Sequence, residues 1–388
     1  MSSRTRLVVM SISAPVIAFA IVGGFLGKVM AREETFQHLK PFDDVVGFIA
    51  SNYVEEVSVE KVMQGAMRGL ADGLDPDSAY LSPDQVKEVE AGKALPAGDI
   101  GVELTRQYYL RVIAARDGSA AAKAGLRSGD YLRTINDKPT REMSVWEGMR
   151  ALRGAPGSKV TLSIIRGSAA DPHVVEIVRE VMPPSEVSSR IAAPGVGYVR
   201  IAAIGSNTPA QVRSQIVDLQ KNGAANLIVD VRRTATGEAE HGLALARLFV
   251  SQGTLAIRER SATVKETIAA AAGDGAIKLP TVVLVDAGTS SAAELFASAM
   301  SGNQRAELLG EHTIGRAAIQ RLIKLPDSSG LWLSTARYLT PAGNPLHEKG
   351  LEPNVQVNEP TVEFGQTAPP GDPALDKAIE RISEKKAA

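Results

Sequence analysis

The chain has 388 residues, 44% hydrophobic and 22% charged, with a formal net charge of −1. That length suits two or three modules, the composition is that of a folded globular protein, and the charge gives no electrostatic reason to expect a nucleic-acid partner. The absence of cysteine excludes disulfides, thiolate catalysis and zinc–thiolate sites, and the five scattered histidines form no HxxxH-like pair, so neither a metal nor a cofactor is expected.

Near the N-terminus, Arg4 and Arg6 precede an uncharged run from Leu7 to Gly27, and Lys28 and Arg32 follow it. A signal-peptide apolar region is ~7–15 residues, whereas a spanning helix needs roughly 17–25. The run has the longer length, although "VMA" at Val29–Ala31 would also suit a signal peptidase. Residues 1–31 are therefore expected to be a membrane signal anchor or signal peptide. The rest of the chain is expected in the cell envelope, periplasmic or otherwise extracytoplasmic, with the membrane as a partner.

Residues 32–96 read as a helical N-terminal region. Phe42, Val45, Val46, Ile49 and Tyr53 recur at helical intervals, and a second helix is expected from near Ser58. "GLDPDSAYLSP" breaks that helix with turn residues. Such an arm suits a homodimer contact and carries nothing catalytic.

Residues 97–182 change to short strands punctuated by glycine: "GDIGVEL", "LRVIAA", "DYLRTIND" and "KVTLSIIRG", with helical pieces "SAAAKAG" and "SVWEGMRALRG" between them. A domain of this kind can take an extended peptide as an added strand. "SAAAKAGLRSGDYLRTINDKP", with Ala124, Gly125, Leu126, Gly129 and Asp130, resembles the PDZ domains of bacterial proteases. The resemblance implies a peptide-carboxylate turn over Gly98, Asp99, Ile100, Gly101 and Val102, with protein or peptide C-terminal tails as ligands. Asp99 stands where such domains commonly carry glycine or an apolar residue, and a second carboxylate there would repel the ligand.

From 183 to 365 buried strands alternate with helices, which argues for an α/β layered core. "GVGYVRIAAIG", "NLIVDVR" and "TVVLVDAG" read as strands; "TPAQVRSQIVDLQKNGA", with Thr208 as cap, and "EHGLALARLFV" read as helices. Residues 366–388 are a Pro/Gly linker and one charged helix. In "VVLVDAGTSSAAELFASAM" a strand ends at Asp286 and Thr289, Ser290 and Ser291 open a helix. A helix N-terminus offers unpaired N–H groups and a positive dipole, so a serine there can sit beside its own oxyanion site. Ordinary N-capping reads the same residues equally well.

The succession of that segment, "RAELLGEHTIG", Gln320 and "TARYLTPAGNPLHEKGLEPNV" resembles the C-terminal processing peptidases, or tail-specific proteases. The resemblance implies a ClpP/crotonase-like α/β protease core with an inserted PDZ domain and an N-terminal helical arm. It implies a serine endopeptidase with Ser291 as nucleophile, Gln320 as orienting residue, and oxyanion donors at the backbone of Ala292 and around Thr236 and Gly237. The general-base lysine of the family falls on Arg316, and the usual oxyanion turn is altered to Asp230-Val231-Arg232-Arg233-Thr234-Ala235-Thr236-Gly237. A guanidinium has no lone pair for the serine proton. Were φ > 0 required at Thr236, that residue would be strained. A substitute base would have to come from His312 or His241. Two readings follow: an exported serine peptidase cleaving proteins near their C-termini, and a pseudoprotease that binds protein tails at the membrane without cutting.

Overall fold

The computed structural model describes residues 39–167, 172–183, 186–366 and 369–387. Its contacts divide the chain into two compact units, Met1–Leu70 and Ala71–Ala388. In the first unit the described residues form helix α1 over 39–52 and most of α2, Val59–Asp72. These helices leave Val45, Phe48 and Leu70 exposed.

The second unit opens with β1, Ala79–Leu81, and α3, Pro83–Glu90, which Ser82 and Gln85 start through a reciprocal capping box. Between Gly98 and Val181 the short, glycine-punctuated strands form a smaller domain. A short pair, β2 (Gly98–Asp99) and β9 (Glu180–Val181), closes its base. Its sheet runs β3 (Val102–Gln107), β4 (Tyr109–Ala115), β5 (Tyr131–Ile135), β7 (Lys159–Ile165) and β8 (His173–Val178), with β6 (Lys138–Pro139) on β5. Helices α4 (Ala120–Lys123) and α5 (Val145–Leu152) are capped by Ser119 and Ser144, the latter with Glu147 in a second capping box. β3 is one of the two edge strands of this sheet, with α5 packed against it.

The larger core is a six-stranded sheet: β10 (Glu186–Ala193), β11 (Val196–Ala203), β12 (Asn226–Asp230), β15 (Thr281–Val285), β16 (Ala306–Gly310) and β19 (Val355–Gln356), in that order. All neighbours are parallel except β10 and β11. Successive residues of a strand face opposite sides, so Leu227, Val229, Val283 and Val285 join the cluster under α6 (Thr208–Lys221), α7 (Ala239–Ala246) and α8 (Ala292–Gly302). Ile228, Val282 and Leu284 pack on the other face against Ala374, Leu375 and Ala378 of α9 (Pro373–Ala387). Burial on both faces is why "NLIVD" and "TVVLV" are almost uninterrupted apolar runs. A second sheet, β1-β18-β13-β14 with β17 on β18, combines β13 (Thr254–Ser261), β14 (Val264–Ala269), β17 (Ala318–Lys324) and β18 (Gly330–Leu339) with the early strand β1.

Two expectations change. Thr208 is the first residue of α6 rather than its cap, and its hydroxyl accepts the Gly205 N–H at 2.8 Å. The membrane anchor and the envelope localisation drawn from it are corrected as well. Among the described residues no helix is long and apolar enough to cross a membrane, and the Leu7–Gly27 run lies outside them. A span needs about 20 consecutive apolar residues in one helix; α2 and α6 have 14 residues and α9 has 15, each with a charged face.

Candidate active site and peptide-binding turn

The nucleophile candidate sits on a tight strand-to-helix connection. β15 ends at Val285, and the Asp286 carboxylate accepts the N–H groups of Gly288 at 3.0 Å and Arg233 at 2.8 Å. The Thr289 hydroxyl donates to Val231 O at 2.9 Å, and Ser290 N–H donates to Thr234 O at 3.0 Å. These bonds fold the connection onto the 230–237 turn. Ser291 then adopts φ 56°, ψ −117° immediately before α8. A side chain in that region stores about 1–3 kcal/mol of strain, which the surrounding bonds must hold. Its hydroxyl donates to Gly237 O at 3.2 Å, and its N–H donates to Glu294 at 3.1 Å.

The 230–237 turn meets this serine from the other side. Gly237 has φ 128°, and a Cβ there would lie 2.5 Å from Ile204 O and 3.1 Å from Ala292 Cβ. Only glycine fits so close to the first residue of α8, whose first-turn N–H groups have no intrahelical partner. The strain anticipated at Thr236 is absent: φ is positive at Arg233, 53°, and Thr236 is not among the positive-φ residues. Thr234 is buried as a structural link, its hydroxyl donating to Ile201 O and accepting from Arg200 at 3.0 Å.

Arg316 points elsewhere. Its Nε donates to Asp77 at 3.0 Å and its Nη1 to Glu103 of β3 at 3.2 Å. Asp77 is buried and the Arg316 side chain is one-quarter exposed. Burial alone would lower the guanidinium pKa, but Asp77 and Glu103 outweigh it and hold the group above its ordinary value. Burial likewise pushes Glu103 upward, against the pull of Arg316. Gln320 donates to Ser334 at 3.2 Å, across the β17–β18 pair. Ser291, Arg316 and Gln320 thus each have their own partners and form no hydrogen bond with one another.

Glu294 joins the nucleophile turn to the Arg316 turn instead. Its carboxylate accepts from Ser291 N–H, from Gly315 N–H at 2.6 Å, from Arg316 N–H at 2.8 Å and from the Thr313 hydroxyl at 2.5 Å. It is fully buried, and burial raises its pKa despite those four donors. Sequence reasoning missed it, although Ser291 and Glu294 have the S-x-x-E spacing of a capping box. Asp77 and Glu103 carried no such signal.

No described histidine replaces the base. The Ser291 hydroxyl is bonded to Gly237 O, and His241 has a buried Nδ1 without a partner. His312 is half exposed, 3.9 Å from Glu352. His347 accepts Ala317 N–H at 3.3 Å, and His173 stacks on Phe364.

In the smaller domain the Gly98–Val102 turn is filled by its own Asp99 side chain. Gly98 exchanges two 3.0 Å backbone bonds with Gly154, and its hydrogen atoms face Gly154 O too closely for a Cβ. Asp99 Oδ1 accepts the N–H groups of Ile100 at 2.7 Å and Gly101 at 3.2 Å, while Oδ2 pairs with Arg153 at 3.0 Å. Ile100 and Val102 are buried in the domain core.

Comparison with known proteins agrees with this architecture. Residues 195–357 match Peptidase family S41 and residues 111–166 match the PDZ domain. The chain is 27% identical over 363 residues to the carboxy-terminal-processing protease of Bartonella bacilliformis, covering 89% of this chain and 83% of that protein. It is 29% identical over 314 residues to the carboxy-terminal processing protease CtpA of Bacillus subtilis, covering 80% and 67%. The solved structure of a photosystem II D1 C-terminal processing protease superposes with a TM-score of 0.67 at 28% identity, covering 82% of this chain and 92% of that one. The chain thus carries a Peptidase family S41 core and a PDZ domain in a mixed α/β S41 protease fold, and it is similar to the C-terminal processing proteases.

Proposed function

We propose that this chain is a catalytically silent member of its family, which holds extended polypeptide at the edge of its PDZ sheet without hydrolysing it. The functional division follows the modules: PDZ over 97–182 for binding and the core over 183–365 as its support. One observation carries the reading: the side chain in the base position is a guanidinium held charged by Asp77 and Glu103. Proton abstraction from Ser291 needs a group that is unprotonated near the working pH and within hydrogen-bond reach. Arg316 meets neither condition. Binding remains available, because edge strand β3 has an open side against which a peptide strand can add.

A working peptidase is the second reading, and the strained backbone of Ser291 beside Gly237 and Ala292 favours it. Incubation of the full chain with an unfolded protein bearing an apolar C-terminal tail separates the two. No new fragments are expected by mass spectrometry. Fragments that disappear with Ser291→Ala would sink the silent reading. Arg316→Lys alone is expected to restore nothing, since the same two carboxylates would keep an ammonium protonated.

A further inference from the structure

The PDZ turn should present free backbone N–H groups to a ligand carboxylate. Here the N–H groups of Ile100 and Gly101 already donate to Asp99 Oδ1 at 2.7 and 3.2 Å. The other carboxylate oxygen is paired with Arg153, and Asp99 is 8% exposed. The side chain therefore reproduces, from within the chain, the contacts that a peptide terminus would make: two backbone donors and one cation. A second carboxylate entering the turn would lose those donors and meet like charge from Asp99, with Glu103 of the following strand β3 close by. The edge of β3, by contrast, is unpaired in the sheet order and α5 lies alongside it. Strand addition draws its affinity from main-chain bonds, which need no chain end.

We infer that Asp99 is a specificity-determining residue that occupies the carboxylate turn of its own PDZ domain, so that the groove takes extended segments of polypeptide, interior ones included, with no requirement for a free C-terminus. The inference rests on the reading of Gly98–Val102 as the peptide-binding turn. It also separates two effects that a lone acidic residue would otherwise merge. Asp99 does more than repel: it satisfies the turn, so the domain loses no stability by leaving it without a ligand.

Fluorescence anisotropy tests this with one apolar ten-residue peptide, labelled at its N-terminus and prepared with either a free or an amidated C-terminus. Ser291→Ala is carried in every protein, so that no cleavage intervenes. The full chain is expected to bind both peptides within about twofold of each other. Asp99→Gly, which frees both N–H groups and Arg153, is expected to prefer the free acid by tenfold or more. Asp99→Asn keeps an acceptor for both N–H groups, so it is expected to remain as indifferent as the native residue. This variant decides the matter should the glycine variant not fold. A native chain that prefers the free acid tenfold overturns the inference while leaving the turn as a peptide site. Binding of neither peptide by any of the proteins overturns the reading of the turn itself. A native chain that binds neither, beside an Asp99→Gly chain that binds the acid, overturns the interior-segment claim.

Discussion

The turn at Ser291 and the turn at Arg316 are both held by one carboxylate, Glu294, yet they have opposite characters. Around Ser291 the chain keeps a strained backbone, a glycine with no room for a side chain and a hydroxyl bonded only to a carbonyl. Around Arg316 the backbone is held by the same Glu294, while the side chain is fully used in ion pairs with Asp77 and Glu103. The PDZ turn belongs with Arg316: its Asp99 is also consumed by partners within the chain. Under the function proposed above, geometry is retained where it is made by backbone, and reactivity is lost where it depended on an unsatisfied charged group. On that proposal a protease scaffold and protease chemistry are separable, because the first rests on glycines, caps and buried bonds and the second on a single pKa.

The comparison breaks most sharply at Glu294. Glu294→Ala leaves four buried donors unmade, and each costs about 1–3 kcal/mol. Urea denaturation is expected to show a loss of about 3 kcal/mol or more, with both turns loosened together. A loss under 1 kcal/mol would show that the two turns do not depend on this link.

Asp286 gives the next effect. Burial pushes its pKa up to about 6 from an ordinary 3.8, with Arg233 N–H opposing the shift. Stability contributed by the neutral acid is present below about pH 4 and is lost as pH rises through about 6. Asp286→Asn, which keeps an acceptor for Arg233 and Gly288, is expected to gain about 2 kcal/mol relative to the native chain at pH 7.5. Little difference is expected at pH 4, and denaturation midpoints at the two pH values check this. An equal effect at both would remove the titration from the account.

The smallest effect sharpens the claim of stored strain. Ser291→Gly relieves φ 56°, ψ −117°, and is expected to raise the thermal midpoint by the equivalent of about 1 kcal/mol. Glycine usually lowers stability through its freer unfolded state, so a gain would be specific to the strained site. A drop in the midpoint would show that the turn is not strained.

Much of this was legible along the chain. The alternating buried strands, the PDZ segment at Ala124–Asp130 and the hydroxyl cluster before α8 are local patterns, set by side-chain periodicity and turn chemistry. That Arg316 offers no lone pair for a proton was equally plain, since it is a property of the residue. The expectation of a membrane anchor came from the length of one apolar run, and the described helices do not provide one.

What tertiary structure alone decided is which groups complete each other. Arg316 finds Asp77 and Glu103, 239 and 213 residues away, and no periodicity connects positions so far apart. Asp99 was visible as an extra acid, but whether it faced a ligand or its own N–H groups depended on how Gly98 meets Gly154 and where Arg153 ends α5. The identity of a residue determines the chemistry it can perform. Its partners in space determine whether that chemistry is free, and here they have taken up both the cation of the base position and the turn of the PDZ domain.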